Sequence, residues 1–130
     1  MNTTCRAALR STRSERGQAA VEFALALPLV AVVMLAIAQV GISIRNEVAV
    51  ELAAREGARA AAVAADPSGA AERAASAATR LDVSVSTSSN GRRVSVTVTH
   101  VDPTDLAVIG ALIGPVTHRA TVTMAVEPPS

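Results

Sequence analysis

One feature constrains this chain more than any other: an uncharged run of 22 residues from Phe23 to Ile44, FALALPLVAVVMLAIAQVGISI. As an α-helix it reaches about 33 Å, enough for a hydrocarbon core about 30 Å thick. Twelve of those residues are Phe, Leu, Ile or Val. At roughly −0.3 to −0.6 kcal/mol each they favour insertion by about 4–7 kcal/mol, a gain that Gln39 and Pro28 reduce. A transmembrane helix is expected over residues 18–44, with Pro28 placed to kink it.

The flanks set an orientation. Residues 1–17 carry Arg6, Arg10, Arg13 and Arg16 against Glu15 alone, whereas Arg45 beyond the run is offset by Glu47 and Glu51. The positive-inside bias puts the N-terminus in the cytoplasm and the C-terminal part outside, as a single-pass protein of the cell membrane. A cleaved secretory signal is the rival reading. The apolar run is too long for one, and Gln39-Val40-Gly41-Ile42 makes a poor cleavage box. Cys5 precedes the run, so it is not placed as a lipoprotein cysteine. A single cysteine also excludes an intrachain disulfide framework.

Where leader meets span, the chain reads Arg16-Gly17-Gln18-Ala19-Ala20-Val21-Glu22-Phe23. Glycine between a basic patch and an apolar helix is permissive backbone that a protease can hold extended. Glu22 is a lone acid at the mouth of the run, and intramembrane carboxylates are expensive unless paired. A cut after Gly17 would make Gln18 a cationic N-terminus. Glu22, one turn inside, is then placed to neutralise that amine on its own chain or on a neighbour. Alternatively, Glu22 lies in the interface and costs little. The residues alone leave both readings open.

The string from Gly17 to Pro28, GQAAVEFALALP, resembles the start of TadE-like proteins of tight-adherence (Flp-type) pilus systems. A second stretch, Ala53-Ala54-Arg55-Glu56-Gly57-Ala58-Arg59, is similar to a motif further along in that family. The resemblance implies a non-enzymatic pseudopilin needed for pilus assembly. Its leader would be cut by a prepilin peptidase between Gly17 and Gln18. It further implies Glu22 and Phe23 as the fifth and sixth mature residues, with Glu22 in charge pairing during assembly. Pro28 would be the family's helix proline, and Arg55, Glu56, Gly57 and Arg59 its extracytoplasmic helix motif. The implied partners are the peptidase, other Tad/Flp assembly subunits and pilins, and membrane lipid. A permanently anchored envelope protein with an exported interaction domain is the alternative.

Beyond the span, residues 45–80 read as an Ala-rich helical region. Ala is the best helix former, and Glu51 and Arg55 form an i,i+4 pair in the favourable order. Gly57 is costly in a helix interior, and its small neighbours suggest close approach of another helix or the sheet. Asp66-Pro67-Ser68-Gly69 reads as a turn, and Ala70–Arg80 as a second helix. Residues 81–130 change period. Val83 and Val85, then Val94, Val96 and Val98, alternate with Ser and Thr around Asn90-Gly91, a strong hairpin signal. Residues 105–114 are apolar, too short to span a membrane, and suit a loop or short helix. Arg119–Glu127 alternates again, with Val122, Met124 and Val126 on one face. The expected fold is α+β: a long N-terminal membrane helix extended by an Ala-rich helix, then a small antiparallel β-sheet.

Catalytic and cofactor chemistry is not legible. His100 and His118 have no nearby Cys or His to complete a zinc set, and His100 beside Asp102 reads as a hairpin-end histidine. No Gly-rich phosphate loop or Gly-x-Ser-x-Gly elbow occurs. A net charge of +1, no Trp or Tyr and a single Phe give no footprint for nucleic acid. No enzyme activity and no cofactor are expected.

Overall fold

The structure, a computed structural model, describes residues 3–103 and 114–127. Its elements are α1 (Thr3–Val63), α2 (Pro67–Ala78), β1 (Ser84–Ser89), β2 (Arg93–Asp102) and β3 (Val116–Ala125). One long apolar helix, a second helix and a three-stranded antiparallel sheet are the architecture read from the sequence. By internal contacts the chain divides into Met1–Ala38 and Gln39–Ser130. The described residues of the first unit all lie in α1, which continues through Pro28 without a break.

The second unit is built on small side chains. Within it α1 buries Val50, Ala53, Ala54, Gly57, Ala58, Ala61 and Ala62. Their three- and four-residue spacing makes one stripe of a 3.6-residue helix. The facing layer is β2, whose Val94, Val96 and Val98 are fully buried. Ala71 and Ala75 of α2 close the core, which has no aromatic ring. Valine is the largest fully buried side chain here. Such a core gains dispersion energy only if the backbones come close together. At Gly57 they do: a Cβ there would stand 3.2 Å from the Ala71 carbonyl oxygen, 3.2 Å from Val96 Cγ1 and 3.4 Å from Ala75 Cβ.

The break between the helices is shorter than the sequence suggested. Rather than forming a turn, Pro67, Ser68 and Gly69 are the first turn of α2. Asp66 is the N-cap: its carboxylate accepts the Gly69 N–H at 3.2 Å and the Ser68 hydroxyl at 3.0 Å. Proline is tolerated directly after a cap because its missing N–H would have had no helical partner. The Gly69 N–H, then the Ser68 hydroxyl, hold the Asp66 carboxyl below the usual carboxylate range.

Sheet order is β1-β2-β3, with both pairings antiparallel. Alternation decides the faces. Valines of β2 point to α1, while Ser95 and Thr97 face outward and bond across to Thr123 and Thr121 at 2.7 and 2.8 Å. Strand β3 begins earlier than its alternation implied, because pairing with β2 extends back to Asp102 opposite Val116. Most of the apolar stretch 105–114 lies outside the described residues.

The β1–β2 turn falls at Asn90-Gly91, with the two residues in different roles. Asn90 is the corner, its N–H bonded to the Arg93 carbonyl at 3.1 Å. Its side-chain oxygen accepts the N–H groups of Arg92 at 3.1 Å and Arg93 at 2.8 Å. Gly91 occupies the next position at φ 80°. Gly91→Val would force a β-branched residue into the left-handed region and should cost about 1–3 kcal/mol. Thermal unfolding of the full chain in detergent tests this; an unchanged midpoint would contradict the strain argument.

Candidate functional site

The segment from Gly17 to Pro28 lies on α1, and all twelve of its residues are exposed. Gly17 is helical, and a Cβ built there meets nothing within 4 Å. Nothing in this chain's own packing therefore calls for glycine at that position, although glycine weakens a helix by about 1 kcal/mol relative to alanine. Glu22 accepts a hydrogen bond from the Gln18 side-chain amide at 3.3 Å, across one helical turn. Phe23 beside it is 67% exposed. Only one helix among the described residues is long and apolar enough to cross a membrane, and none of its most apolar window is buried. Apolar side chains in that state are covered in a bilayer or by another helix, since leaving them in water forfeits their transfer energy.

The second stretch, Arg55-Glu56-Gly57-Arg59, is divided by helical periodicity. Gly57 points into the core, whereas Arg55, Glu56 and Arg59 point to solvent. Arg55 pairs with Glu51 one turn back. Arg59 lines a shallow cleft with Ala62, Val63, Met124, Ala125 and Glu127, where the Glu127 N–H also bonds to the Ala62 carbonyl at 3.1 Å. These four residues thus serve two purposes: one admits a neighbouring backbone, and three form a charged outer surface.

A polar cluster that the sequence reading missed ties α1 to the sheet. His118 of β3 is 4% exposed, and its Nδ1–H donates to Glu47 of α1 at 2.9 Å. Its Nε2 is buried without a hydrogen-bond partner. His100, opposite His118 in the β2–β3 register, stacks on it with centroids 6.4 Å apart and planes 14° from parallel. The His100 Nδ1–H donates to the Asp82 carbonyl at 2.7 Å. Asn46, one residue before Glu47, donates to Asp102 at 2.8 Å. His100 therefore does lie near a strand end, but as part of a clasp holding strand to helix. Glu47 and His118 are 71 residues apart, and no local spacing announces such a pair. Among the described residues no group of three His, Cys, Asp or Glu side chains is placed to hold a metal ion. The cluster orders the fold and offers no reacting constellation.

No curated protein and no solved structure matches the chain. Residues 17–59 match the family described as TadE-like protein, a match that begins at the exposed glycine and ends at the last arginine of the second stretch. It covers the apolar span and the small-residue face of α1 as far as Ala58, and leaves Ala61, Ala62, α2 and the sheet outside. Over that segment, about a third of its length, the chain is similar to TadE-like proteins.

Proposed function

We propose that this chain is a pseudopilin-type component needed to assemble a tight-adherence (Flp-type) pilus, and that a prepilin peptidase matures it between Gly17 and Gln18. The observation carrying the proposal is the family match that starts at Gly17, at the head of a helix whose most apolar window has no buried residue. The glycine has no packing role in its own fold. A steric demand at that position is therefore best supplied by an enzyme that grips the backbone. In this reading the basic leader stays in the cytoplasm, the span holds the protein in the membrane, and the sheet-bearing unit is exported. Pro28 bends the spanning helix. The partners are the peptidase and the other subunits and pilins of the machinery.

Glu22 is the assembly residue in this proposal. Cleavage creates the Gln18 α-amine one turn away from it. Two opposite charges drawn into a low-dielectric assembly cost several kcal/mol each unless they pair.

The mass of the membrane-extracted protein tests the maturation step. Loss of residues 1–17 is expected, and Gly17→Val should abolish that loss because a branched side chain obstructs the grip. An unchanged mature N-terminus in the Val variant would remove Gly17 from the cleavage site. A full-length wild-type chain would favour a permanent anchor instead.

A further inference from the structure

We infer that the sheet-bearing unit itself contacts lipid: its β2–β3 end is seated in the membrane beside the last turns of the uncharged run, rather than held clear on a stalk of helix. The buried stripe of α1 carries the inference, because it does not stop where charge returns at Arg45. From Val50 it continues back through Asn46, Ser43 and Gln39, in steps of four, three and four residues. Such steps keep to one helix face. Asn46 is 6% exposed, and Ser43 and Gln39 are partly buried, whereas residues 17–38 are all exposed. By internal contacts the second unit likewise begins at Gln39. It therefore overlaps the uncharged run over residues 39–44, about 9 Å of helix.

Gln39 and Ser43 are also the only polar side chains in that run. On a spanning helix, hydrogen-bonding side chains turn toward protein and away from lipid. Both lie on the covered face, as an immersed helix requires and a helix in water does not. The other faces at this level are apolar and open: Val40, Ile42 and Ile44 are 59%, 44% and 61% exposed. If the unit stood clear of the membrane, all three would face water and forfeit their transfer energy.

The end of the sheet lies at the same depth. Asp102, the last residue of β2, accepts from Asn46 at 2.8 Å, and Asn46 is about 3 Å along the helix from Ile44. The polar layer outside the hydrocarbon is about 5–7 Å thick on each side. Asn46, Glu47 and Asp102 thus stand among the headgroups, where carboxylates keep their water. Each acid also has a hydrogen bond, Glu47 with His118 and Asp102 with Asn46. Pro103 follows Asp102 and is exposed, and between it and β3 the sequence holds one charge, Asp105. The inference rests on the span alone and requires neither cleavage nor a pilus.

The uncleaved full chain in phosphatidylcholine vesicles, with Cys5→Ser and a nitroxide on one introduced cysteine, tests the depth. The labelled variants are Val40→Cys, Pro103→Cys and Ser88→Cys. All three positions are exposed, so the label does not enter the core. Ser88 pairs with Ser95 toward the far end of the sheet and serves as the water-facing comparison. The measurement is the ratio of collisions with oxygen, which enters lipid, to collisions with a water-soluble nickel chelate. It should be roughly tenfold higher at Val40 than at Ser88, and roughly threefold higher at Pro103 than at Ser88. Equal ratios at Val40 and Ser88 would show that the unit stands clear of the lipid. A high ratio at Val40 with Pro103 matching Ser88 would show that the helix alone is immersed. Either result overturns the inference, and neither bears on maturation, since the vesicles hold no peptidase.

Discussion

Replacing Gly57 with leucine should disrupt the packing of the sheet-bearing unit, while leucine elsewhere on the outer face of α1 should not. The reason is the closeness of three elements at this point. An added Cβ alone would stand 3.2 Å from a backbone oxygen of α2 and 3.2 Å from a methyl group of Val96. The oxygen belongs to a helix and cannot swing aside as a side-chain tip does. Gly57→Ala is then nearly balanced: crowding by a few tenths of an ångström opposes a gain of about 1 kcal/mol in helix propensity. Leucine adds three more carbons where no space exists, and overpacking of this kind costs roughly 1–3 kcal/mol or more. For a unit of this size that is about 4–8 °C in Tm per kcal/mol. Thermal unfolding of the full chain in detergent, with Arg55→Leu as the exposed comparison, provides the measurement. A Leu variant at position 57 melting with the wild type would show that the close approach contributes nothing.

Glu22→Gln should leave the protein processed and membrane-resident yet unable to support pili. The carboxylate lies before the apolar run, so removing its charge makes insertion easier. It stands five residues beyond Gly17, far enough for cleavage to tolerate the change. Glutamine keeps the shape and part of the hydrogen bonding, including a partner for the Gln18 amide that now contacts Glu22. What it loses is the negative charge that, under the proposed maturation, would pair with the new α-amine in a low-dielectric setting. Expression in a strain lacking the native gene, a check of mature mass and a count of surface filaments give the answer. Wild-type filament numbers would refute charge pairing; an uncut chain would move Glu22 into the peptidase's recognition sequence.

Sequence by itself determined whatever depends on near neighbours along the chain. The uncharged run to Ile44 announces a spanning helix because insertion sums residue by residue. Val94, Val96 and Val98 announce a strand with one buried face because pleating has a period of two. Asn90 and Gly91 mark the hairpin because few residues accept φ > 0. The candidate site at Gly17 and Glu22 was likewise legible, as a boundary between basic, small and apolar composition.

Tertiary structure decided what distant residues do to one another. Alanine content foretold a helix, but only the packed sheet made Ala53, Ala54, Ala58 and Ala61 core and left Val48 and Leu52 outside. Asp66 and Pro67 looked like a turn until the cap bond to Gly69 made them the start of α2. The Glu47–His118 bond and the His100–His118 stack exist because β3 pairs with β2 in one register, which places His118 opposite His100 over α1. Shifting that register by one residue would turn His118 to the outer face. Contacts of this kind arise from the summed packing of the sheet on the helix, and no short stretch of sequence encodes that sum.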